Sequence, residues 1–176
     1  HAPEIAKLCG RLPLALRLAA GQLVKFSNQR VADYVNKLAN SRERLGLIEA
    51  SLSLSYELLS KTLQKQWRAL AVFPDTFDAQ AAKAIWVVKK DAAQEVLNKL
   101  YAYSLIEWDE CVGRYHLHDL VRVFGQFKMT GNERLANQRR HAEHYLSILE
   151  QCQELYQKGG ERSREGLALF DREWSN

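Results

Sequence analysis

His116 and His118 are the residues whose types and spacing come nearest to a ligand set, since two imidazoles one position apart on an extended segment point to the same side. No cysteine or carboxylate pair at ligand spacing completes that set, so the sequence offers no metal site. His118 is followed by Asp119 at a strand-to-helix junction, where an aspartate is expected to accept from free backbone N–H groups and cap the helix. Phosphoryl transfer lacks its parts: the sequence has no Gly-x-x-x-x-Gly-Lys-Ser/Thr loop and no acidic strand end for magnesium. The chain is therefore expected not to be an enzyme by itself.

With 176 residues, 47% hydrophobic and 26% charged, the chain can bury a real core, as one domain or two small ones. No apolar run approaches the roughly 18 residues that span a bilayer, and no secretory signal opens the chain, so a cytoplasmic location is expected. The start at His1, and a last stretch, Arg172 to Asn176, that reads as the beginning of an element, suggest a piece of a larger protein. Cys9, Cys111 and Cys152 are widely spaced among apolar or helical neighbours and are expected to be buried reduced thiols. A net charge of +4 and a pI near 9.0 permit contact with a polyanion, but the basic residues are spread along the chain.

The elements that must position these residues follow from apolar spacing. Pro3, then Ile5, Leu8 and Cys9 on one face, with Gly10 as a stop, describe a short helix. Pro13 opens a second, with Leu16, Ala19, Ala20 and Leu23 as its stripe, and the two meet at a tight corner over residues 10–13. Val31, Val35 and Leu38 mark a third, after the polar break at 27–29. Short helices follow through Ile48, Leu52, Ser55, Tyr56 and Leu59, then Leu63, Trp67, Leu70 and Ala71 up to a stop at Phe73-Pro74, then Ala81, Ala84, Ile85 and Val88. Asp91 is the expected N-cap of the next, which carries Val96, Leu97, Leu100 and Tyr101. Residues 105–108 and 114–117 form the one hairpin, and the three short helices before it give the order of a winged helix. A helix with Leu120, Phe124 and Phe127 on one face stops near Gly131. A long helix through Leu135, Tyr145, Cys152 and Tyr156 and a final one with Leu167, Phe170 and Trp174, parted by Gly159-Gly160, form a helical hairpin.

Four stretches, in order, resemble signatures of the NB-ARC (STAND) signalling ATPases. Gly10-Arg11-Leu12-Pro13-Leu14-Ala15 is similar to the Gly-x-Pro motif, usually GLPLA, with Arg11 where that motif has its Gly. Leu52 to Leu59 and Ala71-Val72-Phe73-Pro74 resemble the passage LSYDxLP…LAVFP, and Leu117-His118-Asp119 resembles the MHD motif with Leu for Met. The resemblance implies that Pro13, with Leu12 beside it, packs on the adenine of ADP and that His118 touches its β-phosphate. The residue types suit both roles: a proline ring has no conformational entropy to lose, and an imidazole N–H at a positive helix start can bond a phosphate oxygen. The ordinary readings are a helix start for Pro13 and an N-cap pair for His118-Asp119. The C-terminal helices, with the segment Phe170 to Asn176, are similar to what precedes tetratricopeptide-type repeats in bacterial members.

The expected organisation is mainly α: a helical subdomain over 1–45, a winged helix over 46–130 and a helical linker or start of a repeat region over 131–176. The expected function is the regulatory part of an ADP/ATP switch, with an upstream P-loop domain, downstream helical repeats and self-association of the parent protein on activation. Nucleotide belongs to the parent, and none is expected to bind tightly to this chain alone. Two rivals stand beside it, a winged-helix DNA-binding regulator and a helical scaffold. Against DNA, the helix before the hairpin exposes Asp91 and Glu95 with only Lys99, and the hairpin tip is Asp109-Glu110, a poor surface for phosphate neutralisation.

Overall fold

A computed structural model describes residues 2–9, 13–25, 31–45 and 47–176. Gly10, Arg11, Leu12 and the break at 27–29 lie outside the described residues. The chain is mainly α, with ten α-helices among the described residues and one two-stranded sheet.

The first four helices are α1 (Ala2–Leu8), α2 (Pro13–Lys25), α3 (Val31–Leu45) and α4 (Leu47–Glu57). They enclose one apolar cluster built from Ile5, Cys9, Ala15, Ala19, Tyr34, Val35, Leu38, Ala50 and Leu54. The inward stripe of α2 is Ala15, Leu18, Ala19 and Gln22, whereas Leu16 and Leu23 are half-buried and Ala20 is exposed. The helix is thus rotated from its expected face, because small alanines on the α4 side let two backbones approach closely. Every residue of α4 from Ala50 to Ser55 is buried, and its leucines serve two clusters: Leu54 points into the first and Leu52, with Leu18 of α2, into the second. Six consecutive buried residues cover every side of a helix, so this stretch belongs to the core, and α4 joins the two halves of the chain.

The second cluster centres on Trp67, Leu70, Phe73, Phe77, Ile85, Leu97 and Leu100. It is enclosed by α5 (Lys61–Ala69), α6 (Ala79–Trp86) and α7 (Lys90–Ala102), and by the antiparallel strands β1 (Glu107–Asp109) and β2 (Arg114–His116). Ser60 caps α5 through the Leu63 N–H at 3.3 Å, and Asp78 caps α6 through the Ala81 N–H at 2.8 Å. Helix α5 tightens into a 3-10 turn over Leu70–Val72 before Pro74. Asp91 does not cap α7: Lys89 holds the N-cap position without a side-chain bond, leaving Asp91 inside the first turn, where its charge meets the helix dipole. In the hairpin Glu107 faces His116, Trp108 faces Tyr115 and Asp109 faces Arg114. Phe77 adds an antiparallel bridge to Tyr115, with N···O distances of 2.8 and 2.9 Å. Three short helices followed by this hairpin make the winged-helix arrangement.

Helix α8 (Asp119–Lys128) buries Val121, Phe124 and Gly125, and it leaves Leu120 and Phe127 exposed, contrary to the expected face. The cause is a close approach: a Cβ on Gly125 would lie 3.0 Å from the Ala71 Cβ, so the glycine side must face inward, and Phe124 beside it reaches the rings of Trp67 and Tyr56. Gly131 does not stop this helix. It is the first residue of α9 (Gly131–Gln157), which Thr130 and Glu133 open with a reciprocal capping box. Helix α10 (Gly160–Glu173) folds back along α9, with Gly166 against the Cys152 carbonyl. Cys9 and Cys152 are buried thiols, but Cys111 is exposed on the hairpin loop. Among the described residues no helix is long and apolar enough to cross a membrane.

Candidate functional site

His118 follows β2 by two positions and opens the helix. It occupies the N-cap position of α8, with its Nδ1 accepting from the Leu120 N–H at 3.2 Å. An imidazole nitrogen that accepts carries no proton, so the neutral ring holds its hydrogen on Nε2. His118 is exposed, and that Nε2–H is a donor at the electropositive end of a helix. Asp119, the expected cap, instead sits in the first turn and accepts from Arg122 at 2.7 Å. The histidine wins the cap because its backbone is extended (φ −57°, ψ 140°) while Asp119 is already helical.

His116 turns to a different partner. Its Nε2 lies 3.3 Å from Glu107 Oε2, across the strand pair, so the two histidines do not form a ligand pair, and no group of metal-binding side chains occurs among the described residues. The other oxygen of Glu107 accepts from Arg17 on α2. The Arg17 guanidinium holds the Glu107 carboxyl below the usual carboxylate range, against the upward push of partial burial, and His116 and His118 act in the same direction as Arg17. Arg17 stands one helical turn after Pro13, so both lie on one face of α2. Pro13 is exposed at the first position of α2, its missing N–H costing nothing there.

The fold therefore joins the two elements that carry the sequence-expected residues, α2 with Pro13 and the β2–α8 junction with His118, through Arg17, Glu107 and His116. Leu12 lies outside the described residues. Sequence reading missed Arg17 and Glu107, whose separation of 90 positions leaves no local signal. A cleft of about 360 Å³ beside His118 is lined by Asp75, Thr76, Asp109, His116, Asp119 and Arg122. Its carboxylates outnumber its one arginine, which is already paired with Asp119. An anionic group would thus meet His118 Nε2–H and the start of α8 and would find few other donors here, so most of its charge must be held by groups outside this site.

The chain is 32% identical over 143 residues, 76% of its length, to Regulatory protein AfsR of Streptomyces coelicolor. It is 27% identical over 164 residues, 84% of its length, to a Mycobacterium tuberculosis protein whose name describes an HTH-type transcriptional regulator. The chain is related to regulatory proteins. A third relative is Disease resistance protein RML1A of Arabidopsis thaliana, 29% identical over 123 residues, 70% of the chain. The matched region is a small part of each: 14%, 19% and 12% of the respective lengths. No protein-family profile matches the chain.

Proposed function

We propose that this chain is the regulatory segment of an NB-ARC (STAND) type nucleotide switch, and that it holds an ADP-bound, closed arrangement through Pro13, Leu12 and His118. The single observation that carries the reading is His118: its Nδ1 is committed to capping α8, so its Nε2–H stands free to donate at the helix start. The four family-like stretches and the relationship to bacterial regulators and a plant resistance protein support the same reading. ADP would supply a flat base for Pro13 and a phosphate for His118; the rest of the phosphate site would come from an upstream P-loop domain, and this chain would have no catalytic part. Loss of the phosphate contact would release the β2–α8 junction and free the winged helix to rotate, allowing self-association, while helical repeats downstream would bias the equilibrium. A coupling of about 1–3 kcal/mol is enough to shift such a population.

The test uses the chain extended to the length of its relatives, purified with His118 and with His118→Ala, with chromatography of the nucleotide released on denaturation. The switch reading expects ADP with His118, and loss of ADP or replacement by ATP with alanine. Equal ADP in both, or nucleotide in neither, sinks it. The name of the Mycobacterium tuberculosis relative favours DNA binding as the second reading. Helix α7 exposes Asp91 and Glu95, and the hairpin tip carries Asp109 and Glu110, which argues against it. Random duplex bound with a steep salt dependence would bring it forward.

A further inference from the structure

Three residues on α2, Pro13, Arg17 and Gly21, recur at i, i+4 and i+8 and so share one face of the helix. Two of them meet the winged helix. Arg17 donates to Glu107 on β1, and Gly21 lies where an added Cβ would stand 3.1 Å from Ser104 Oγ and 3.2 Å from the Tyr103 carbonyl oxygen, in the turn between α7 and β1. The third, Pro13, is exposed at the end of that face. On the other side of the contact, Glu107 is the register partner of His116, its second oxygen lies 3.3 Å from His116 Nε2, and His118 follows two positions on at the mouth of α8.

We propose that Arg17 and Glu107 are positioning residues for His118: their ion pair fastens the face of α2 that carries Pro13 to the strand pair that carries His118, and so sets where the two stand. Glu107 does this with one oxygen bonded to Arg17 of α2 and the other facing His116 of β2 at 3.3 Å. Arg17, His116 and His118 all favour its charged form, so removing it opens the contact and leaves Arg17 without its partner on β1. The pair is partly exposed, Arg17 at 44% and Glu107 at 24%, so its strength is modest. That suits a contact made and broken in a switch. Gly21 supplies the steric half of the same contact, because a side chain there would hold α2 off the Tyr103–Ser104 turn. The inference rests on the switch reading for its consequence, and on geometry alone for its first test.

That first test is amide hydrogen exchange on the 176-residue chain, read at Leu120, whose N–H His118 caps, and at β1 and β2. Arg17→Glu and Glu107→Arg should each speed exchange there roughly threefold to fivefold, while amides in the middle of α9 stay as they were. Arg17→Lys should stay near the wild type, and the swapped double variant, Arg17→Glu with Glu107→Arg, should recover most of the protection. Unchanged exchange at Leu120 in both single variants, or no recovery in the swap, overturns the proposal. Uniformly faster exchange over the whole chain also overturns it, because the pair is then only a general support. In the extended protein, ADP retention should fall in the single variants and return in the swap. If His118→Ala leaves ADP untouched, the switch reading fails, while the exchange result still decides whether Arg17 and Glu107 position His118.

Discussion

Arg114 and Glu173 form two parallel hydrogen bonds, 2.6 Å from Nη1 to Oε1 and 2.7 Å from Nη2 to Oε2, across 59 positions of sequence. Both side chains are buried, at 5% and 8% exposure, and the guanidinium is completed by the Thr76 hydroxyl at 2.9 Å and the Thr76 carbonyl at 3.0 Å. Asn176 donates to the same carbonyl at 3.0 Å. The last helix is thereby tied to β2, the strand that ends at His116 and leads directly to His118.

Glu173→Ala should be among the most destabilising substitutions in the chain, by about 3–5 kcal/mol, because it strands a buried guanidinium. Replacing both partners by apolar residues, Arg114→Met with Glu173→Leu, should cost much less. Urea unfolding reads both, and a loss below about 1 kcal/mol for Glu173→Ala would mean that the pair does not hold α10 to the hairpin.

The two jobs of His118 can be separated. His118→Ala should lower stability by about 0.5–2 kcal/mol through loss of the α8 cap, whereas His118→Asn keeps a capping acceptor and should stay near the wild type. Thermal unfolding reads the cap. The reading of the cap is wrong if alanine and asparagine behave alike.

Glu133 predicts an acid limb. It sits in the first turn of α9, bonded to Arg68 of α5 at 2.5 and 3.1 Å and to the Thr130 N–H at 3.1 Å. Chiefly through Arg68, its carboxyl is held at about 2, against 4.5 when unperturbed. A folded-state value below the unfolded one means that the contribution is complete above about pH 4.5 and is lost as pH falls toward 2. The pair is partly exposed, so the amount is of order 1 kcal/mol after solvent screening. Unfolding free energy measured from pH 6 to pH 2 should fall less steeply in Glu133→Gln over that window, and an unchanged slope would count against the ion pair.

Gly166→Ala should loosen the C-terminal hairpin. Its Cβ would lie 2.8 Å from the Cys152 carbonyl oxygen and 3.0 Å from the Leu155 Cβ, and a backbone carbonyl in the middle of a helix cannot swing away. The expected cost is about 1–3 kcal/mol despite the better helix propensity of alanine. Faster exchange confined to α10 and its contact on α9 would show it; a more stable variant would show that propensity outweighs the contact.

Periodicity and turn chemistry determined most of the elements by themselves. Pro13 opening α2, the Phe73-Pro74 stop, the hairpin around residues 109–113 and the Gly159-Gly160 break are all local, since each depends on what one or two residues allow the backbone to do. His118 was legible as a candidate from its place between a strand and a helix. What the sequence left open is which side of each helix turns inward, because apolar residues on both sides of α2 and α8 offer two stripes of similar quality. The tertiary structure chose by close approach: Gly125 against Ala71 sets the face of α8, and the buried stretch Ala50 to Ser55 of α4 sets the face of α2. It also decided that His118 rather than Asp119 caps α8, because the cap goes to the residue whose backbone is still extended. The two contacts that grip the hairpin, Arg17 with Glu107 and Arg114 with Glu173, pair charges 90 and 59 positions apart. Opposite charges that distant in a chain have many possible partners, and only packing brings one pair of them together.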